Sequence, residues 1–323
     1  MKKIITAVIW LFAGLAAGYA APASNTVEIV FNGATATVSV AANISNYITD
    51  KSNGSSHVKL IQSASVNDAV GEISYILSGS SDDGEFYLEG TYKATVELDG
   101  LTLTNPSGPA INIQDGKRIK VKVNEGTVNT ISDGKNDTYN GCLHVKGHTE
   151  FRGKGTLNVT GKSKHAVYSK EYIQLKNTVI NVSGAVKDGI HCKEYFYMES
   201  GTVNIAAAGD DGIQVELDDE ADATGATSEH EDENSGNFYQ DGGKLYISGY
   251  DGKAVKADGN ITFKAGTRNF SISETEDVTA ISQIENPTAA TEVYDLQGRR
   301  TTITQSGLYI FKNGNTTVKR FVK

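Results

Sequence analysis

The sequence predicts an all-β protein, a single-stranded, right-handed parallel β-helix with about 23 residues per coil. Three observations support this prediction. A short motif with an aliphatic anchor recurs six times, at intervals of 32, 24, 23, 23 and 42 residues. Within each repeat, apolar residues alternate with period two, as they do in strands. Beyond residue 20, no run of twelve residues has the 3.6-residue period of a helix.

The anchors align coil upon coil when two insertions are allowed. They are Ile111, Leu143, Val167, Ile190, Ile213 and Val255. The two long intervals contain polar stretches, residues 132–140 and 216–233, which we expect to be loops. One repeat cannot bury its apolar face alone, so the coils must stack, about 4.8 Å apart. The anchors then point inward, and the residue after each anchor points to solvent.

The N-terminal residues differ from the repeats. Residues 1–20 have two lysines, an apolar run and small residues at Gly18 and Ala20, which is typical of a cleaved signal peptide. The run is shorter than the ~20 apolar residues that span a membrane. We therefore expect a secreted or cell-surface protein without a transmembrane segment. Residues 21–78 predict an N-terminal β cap that starts with a hairpin at Asn32-Gly33 and covers the end of the solenoid.

The repeats occupy residues 79–273, followed by a polar linker at 274–290 and a small β unit at 291–323. The chain has 39 acidic and 30 basic residues, a formal charge of −9, which argues against nucleic-acid binding. Residues 216–233 contain nine carboxylates and no lysine or arginine. Cys142 and Cys192 lie two coils apart, beyond the ~7 Å between Cα atoms that a disulfide tolerates, so we expect free thiols.

The acidic residues at the starts of the coils predict a calcium site. Asp188 and Asp211 begin adjacent coils in the same register, which places their carboxylates about 5 Å apart. A cation or a proton must relieve the repulsion between them, and clustered oxygen ligands suit Ca²⁺. The predicted ligands are Asp188, Asp210, Asp211, Glu216 and Asp251. The alternative is a solvated acidic loop that binds no metal.

Aromatic, histidine and lysine residues recur at matching positions of successive coils and predict a carbohydrate-binding surface. The residues are Tyr168, His191, Tyr172, Tyr195, Lys170 and Lys193. Outward rings at a regular rise suit pyranose rings, and the lysines suit uronate carboxylates. Two alternatives remain open. Tyrosine is enriched in strands in any case, and Glu171 and Glu194 offer the lysines weak exposed ion pairs.

The motifs Asp188-Gly-Ile190 and Gly209-Asp-Asp-Gly-Ile213, with the insertion that follows, resemble a calcium-binding, carbohydrate-binding parallel β-helix family. That family is related in fold to polysaccharide lyases. The resemblance covers residues 26–273 and implies binding of cellulose-like and pectin-like polymers. The block that begins at Val293 resembles the C-terminal sorting domain of type IX secretion cargo.

We therefore expect an exported, Ca²⁺-dependent protein that binds plant-type or acidic polysaccharide, with binding favoured over catalysis. One alternative is a pectate-lyase-like enzyme, which needs Ca²⁺ and a basic residue beside the abstracted proton. Lys187, Lys193 and Lys253 are equally suited to that role, and the sequence singles out no catalytic residue. Another alternative is a structural surface adhesin.

Overall fold

The computed structural model describes residues 21–219, 225–226, 230, 233–270, 292–295, 298–302, 307–313 and 316–322. The predicted signal peptide, the predicted linker at 274–290 and much of the acidic insertion lie outside these residues. The part of the chain that the structure describes is almost entirely β-strand. It contains no helix that is long and apolar enough to cross a membrane.

Antiparallel strands close the N-terminal end. β1 (Thr26–Asn32) and β2 (Thr35–Val40) form the predicted hairpin. A 3₁₀ helix (Ala42–Tyr47) leads to β3 (Ile48–Asp50), which pairs antiparallel with β4 (His57–Gln62). These pairs confirm an N-terminal cap, because they occupy the edge that the first coil would otherwise expose.

The rest of the solenoid consists of short parallel strands. In chain order they are β5 (Ile73–Ser81), β6 (Glu85–Glu89), β7 (Ala94–Thr104), β8 (Ile111–Gln114), β9 (Ile119–Val123), β10 (Val128–Ser132), β11 (Gly141–Val145), β12 (Thr149–Arg152), β13 (Thr156–Gly161), β14 (His165–Ser169), β15 (Ile173–Leu175), β16 (Val179–Ala185), β17 (Ile190–Lys193), β18 (Tyr195–Met198), β19 (Thr202–Ile205), β20 (Ile213–Glu216), β21 (Asn237–Gln240), β22 (Lys244–Ile247), β23 (Val255–Ala257), β24 (Ile261–Phe263) and β25 (Thr267–Phe270). From β8 onward each coil contributes three strands.

The first strands of successive coils form one parallel ladder, in the order β4, β6, β8, β11, β14, β17, β20 and β23. The second and third strands form two further ladders, which join at the long strand β7 because it pairs with both β9 and β10. The described residues thus form a parallel β-solenoid, as predicted.

The register agrees with the predicted alignment of the anchors. Each anchor pairs directly with the next, from Ile111 to Val255. All six anchors are buried. Full burial of an aliphatic side chain contributes roughly 1.5–3 kcal/mol, so the anchor column is a main source of stability. In the second ladder the rings of Phe196 and Phe238 stack at 5.1 Å and continue this core.

Parallel pairing begins earlier in the chain than the predicted boundary between residues 78 and 79. β5 straddles that boundary, and it pairs in parallel with both β1 and β7. The anchor motif does not reveal these coils, because the eleven residues of β7 merge two strands that are separate in later coils.

Both predicted insertions lie between strands, one after β10 and one after β20. Cys142 and Cys192 are buried and free, as expected. At the C-terminus, β26 (Glu292–Tyr294), β27 (Gly307–Asn313) and β28 (Thr316–Val322) form a three-stranded antiparallel sheet. This sheet confirms the small C-terminal β unit.

Candidate functional site

The residues that follow the anchors form a covered layer on the outside of the first ladder. The column contains Asn112, His144, Tyr168, His191 and Gln214, and each side chain is at most 9 % exposed. The expectation that these positions point into open solvent is therefore wrong. The ring of Tyr168 stacks on His144 at 5.1 Å and on His191 at 5.4 Å. Because the rise between coils is close to a stacking distance, each ring covers the next.

A second aromatic column lies at the start of the second ladder. Tyr172 stacks on His148 at 4.2 Å and on Tyr195 at 4.8 Å. Tyr195 is completely buried, so it offers no ring face to a ligand, contrary to the expected platform. Tyr172 is only partly covered. The structure therefore separates the two predicted tyrosines by accessibility, although their sequence positions are equivalent.

An open cleft of about 390 Å³ lies over β14, β17 and β20. Its lining contains residues predicted for carbohydrate and residues predicted for metal: Asn140, His165, Tyr168, Lys187, Asp188, His191, Lys193, Asp210, Gln214 and Glu216. Five predicted site residues are not among them: Lys170, Tyr172, Tyr195, Asp211 and Asp251. The coil-by-coil stacking thus brings six of the predicted site residues to one surface depression.

Three of the five predicted calcium ligands meet beside this cleft, and two of them, Asp188 and Asp210, line it. One carboxylate oxygen of each of Asp188, Asp210 and Asp211 lies within 4.8 Å of the other two. Adjacent coils supply them, and the Asp211 N–H donates to Asp188 Oδ1 at 3.0 Å. Glu216, a fourth predicted ligand, contacts His191 instead, with its Oε2 3.4 Å from His191 Nε2.

Asp251 lies outside this acidic cluster, and its side chain is exposed. The sequence register places it near Asp211, but its backbone N–H donates to the carbonyl of Asp210 at 3.1 Å in a turn. The backbone N–H of Lys253 reaches Asp211 Oδ1 instead, at 2.7 Å. A main-chain donor thus occupies the position expected for a third aspartate.

Asp188 is an ionised carboxylate in a buried place. His191 Nδ1 lies 2.9 Å and His165 Nδ1 3.1 Å from its Oδ2. Burial alone would raise the pKa of Asp188, but the hydrogen bonds from His165 and His191 outweigh burial and hold it well below its usual range. Burial lowers the pKa of His165, whereas it raises the pKa of Asp211. The cleft therefore combines a buried anion with imidazole nitrogens.

Lys193 and the two glutamates have partners other than those that the sequence alternative expected. Lys193 Nζ lies 3.4 Å from Asp218, in the acidic insertion. Glu171 and Glu194 lie instead at 2.9 and 3.5 Å from His148 Nε2. Lys193 is thus paired with the insertion, and the two glutamates are paired with a histidine.

The end of the acidic insertion is fixed to the solenoid. Glu233 is buried, accepts a hydrogen bond from the Tyr239 hydroxyl at 2.7 Å, and lies 2.6 Å from His230 Nδ1. Five carboxylates of the insertion lie outside the described residues: Glu220, Asp222, Glu229, Glu231 and Asp232. Two of the described ones, Asp218 and Glu233, already have partners within the protein.

Sequence reasoning missed His165 and His148. His165 begins its coil 23 residues before Asp188, and that interval was the available signal. No comparable signal marked His148, because its partners Glu171 and Glu194 come from two later coils.

The fold and the cleft define a class of protein, a parallel β-solenoid with an acidic and histidine-containing depression on one ladder. Residues 62–318 match the family described as carbohydrate-binding domain-containing protein, and the chain belongs to this family.

Two known proteins are similar to the chain. A carbohydrate-binding domain-containing protein of Acetivibrio thermocellus is 23 % identical over 103 residues, which are 29 % of this chain and 36 % of the relative. The match therefore spans about a third of the relative's length. A solved structure, titled polysaccharide lyase-like protein from C. thermocellum, gadolinium derivative, has a TM-score of 0.58 at 19 % identity. It aligns with 75 % of this chain over 99 % of its own length, which shows a shared fold.

Proposed function

We propose that the protein is exported and binds acidic, plant-type polysaccharide in a Ca²⁺-dependent manner at the cleft over β14, β17 and β20. Membership of a carbohydrate-binding family supports the ligand class. The observation that carries the proposal is the meeting of Asp188, Asp210 and Asp211 beside Tyr168 and Lys193. The calcium ion and the acidic glycan are the parts that need testing.

The acidic cluster fits a hard cation. Two carboxylates at 4 Å repel each other by ~4 kcal/mol at an effective dielectric constant of 20, and a bound Ca²⁺ removes that cost. Asp211 Oδ2 is buried, and its ion-pair partner is Lys256, whose Nζ lies 3.3 Å away. Asp188, Asp210 and Asp211 would hold the ion, and Ca²⁺ would supply charge neutralisation for an incoming uronate.

The other lining residues suit a uronate chain. Lys187 and Lys193 bring two ammonium groups to the cleft. They complement glycan carboxylates electrostatically. Burial raises the pKa of Tyr168, so its hydroxyl stays protonated and can donate to a sugar oxygen. Lys170 and Tyr172 lie outside this lining and are peripheral to the proposal.

The test is binding to insoluble polygalacturonate with Ca²⁺ and with a chelator. We expect the wild type to bind only with Ca²⁺. Asp210→Asn should bind at least about tenfold more weakly, a loss of about 1.4 kcal/mol. The matched control is Asp99→Asn, because Asp99 is an exposed aspartate on β7, in the other sheet. Equal binding with and without chelator would refute calcium dependence, and equal binding by both variants would refute the site.

One observation keeps lyase activity as a second candidate. Lys187 and Lys193 stand at the same cleft as the acidic cluster, and β-elimination on a uronate needs both a cation and a base. Incubation with polygalacturonate, followed by detection of unsaturated uronate products, tests this candidate. Products that disappear in Lys193→Met would establish a lyase, and binding without products would establish a binding module. Absence of both would favour the structural adhesin.

Export and the role of the C-terminal sheet are also proposals. A cleaved signal peptide predicts a mature chain that begins near Ala21, which N-terminal sequencing of the secreted protein checks. If β26 to β28 act as a sorting domain, deletion of residues 291–323 should retain the chain inside the envelope.

A further inference from the structure

Two buried histidines, His165 and His191, contact the Asp188 carboxylate of the acidic cluster. His165 begins β14, and Asp188 and His191 lie at the start of β17 on the next coil. One ligand atom from each of these three residues lies within 4.8 Å of the other two. Both imidazoles turn Nδ1 toward the same oxygen, Asp188 Oδ2. The three side chains are almost fully buried but line the cleft, which gives a small ion a route to them.

We propose that His165, Asp188 and His191 bind a divalent transition-metal ion of the zinc class, with one coordination position open to the cleft. This inference does not depend on the proposed glycan or on Ca²⁺. The three residues are called the histidine cluster below.

The donor set selects this class of ion. Two imidazole nitrogens and one carboxylate suit Zn²⁺, Cu²⁺ or Ni²⁺, whereas Ca²⁺ takes six to eight oxygens. A tetrahedral ion with bonds of about 2.0–2.1 Å has ligand atoms about 3.3 Å apart. The distances from Asp188 Oδ2 to the two Nδ1 atoms are 3.1 and 2.9 Å. These two distances are close to that spacing, and one ligand atom from each of the three residues lies within 4.8 Å of the others. Three protein ligands leave the fourth position for water or a ligand.

The surroundings of His191 match those of a metal ligand. A histidine that binds a metal through one nitrogen usually donates its other N–H to a carboxylate. His191 has Nδ1 beside Asp188 and Nε2 3.4 Å from Glu216 Oε2. Glu216 thus orients the ring and is a positioning residue for the ion.

His165 Nδ1 faces two groups of the same residue, Asp188. The backbone N–H of Asp188 donates to His165 Nδ1 at 3.2 Å, and Asp188 Oδ2 faces the same nitrogen at 3.1 Å. One nitrogen cannot accept from the first group and donate to the second. With its lone pair on Nδ1, His165 accepts the N–H of Asp188, and Asp188 Oδ2 then has a hydrogen-bond donor in His191. The Zn²⁺ titration below therefore has to distinguish a metal site from a hydrogen-bonded structural cluster.

Asp188 connects the histidine cluster with the proposed calcium site. Its Oδ2 faces the two histidines, and its Oδ1 accepts the N–H of Asp211. Substitutions at the remaining residues therefore separate the two sites: His191 belongs to the histidine cluster alone, and Asp210 to the acidic cluster alone.

The experiment is a calorimetric titration of the metal-free full chain with Zn²⁺, repeated with Co²⁺ while its visible absorption is recorded. We expect one Zn²⁺ per chain and cobalt bands of a low-coordinate site. Affinity should fall at least tenfold in His191→Gln and be unchanged in Asp210→Asn. His144→Gln is the matched control, because His144 is also buried and stacks on the same Tyr168.

Three outcomes would overturn the proposal: no Zn²⁺ binding by the wild type, equal binding by His191→Gln, or equal losses in His191→Gln and His144→Gln. Because His191→Gln also removes a buried contact with Asp188, Glu216→Gln serves as a milder second variant. It should weaken Zn²⁺ binding by about 10–100-fold, the usual effect of removing such a partner. A failure of the proposed function appears in the polygalacturonate assay and leaves the Zn²⁺ titration unaffected.

Discussion

Replacing His148 by glutamine should destabilise the protein only below about pH 9. His148 stacks on Tyr172, and its Nε2 lies 2.9 Å from Glu171 and 3.5 Å from Glu194. Burial alone would lower the pKa of His148, but the hydrogen bonds and charges of the two glutamates outweigh burial and raise it to about 9. Glutamine keeps the polar side chain but cannot become a cation.

The size of the effect follows from linkage. A rise of the pKa from 6.5 to about 9 corresponds to about 3 kcal/mol, at 1.36 kcal/mol per pH unit. Because the side chain of His148 is 31 % exposed, solvent screening reduces this to about 2 kcal/mol. The folded-state pKa is raised, so the contribution is complete below about pH 6.5 and is lost as the pH rises through about 9.

The assay is thermal or urea unfolding of wild type and His148→Gln at about pH 6 and about pH 10. At the lower pH the variant should melt about 4 °C below the wild type, at roughly 2 °C per kcal/mol for a chain of this size. At the higher pH the two should melt together. His57→Gln is the control, since His57 forms a more exposed pair with Asp83 at 3.0 Å. A stability difference of equal size at both pH values would refute the reasoning.

The other predictions concern the core and the turns. Ile190→Asp should cost several kcal/mol, because it leaves a charge unpaired inside the solenoid, while Ile190→Val should cost about 0.5–1.5 kcal/mol; equal denaturation midpoints would contradict the inward register. Gly153→Ala should lower the free energy of unfolding by about 1–3 kcal/mol, since Gly153 has φ 93° and an added Cβ would lie 2.1 Å from a carbonyl oxygen of the preceding coil. Gly184→Ala is the control, with open space around the added carbon. Titration of the unfolded, unreduced chain should count two thiols, Cys142 and Cys192, and a count of zero would mean that they pair.

The aliphatic anchors were predictable because strand alternation and coil length both appear in the sequence as regular spacings of apolar residues. Once Ile190 and Ile213 lie 23 residues apart with the same inward phase, stacking fixes their pairing. The same periodicity placed Asp188 and Asp211 on adjacent coils, and the structure brings them together. The hairpin at the N-terminus followed from a local turn signal. All of these features depend on local patterns or on one repeated interval.

For side chains outside the anchors, burial and pairing depend on contacts between coils. Tyr195 is fully buried while Tyr172 is only partly covered, although both occupy the same position in their repeats. Asp251 leaves the acidic cluster because a turn shifts it and a backbone N–H takes its place. His148 acquires two glutamate partners from later coils. The sequence determined which residues share a column. Only the tertiary structure determined which of them are covered, charged or paired, because stacking at the rise between coils lets each side chain shield the next from water.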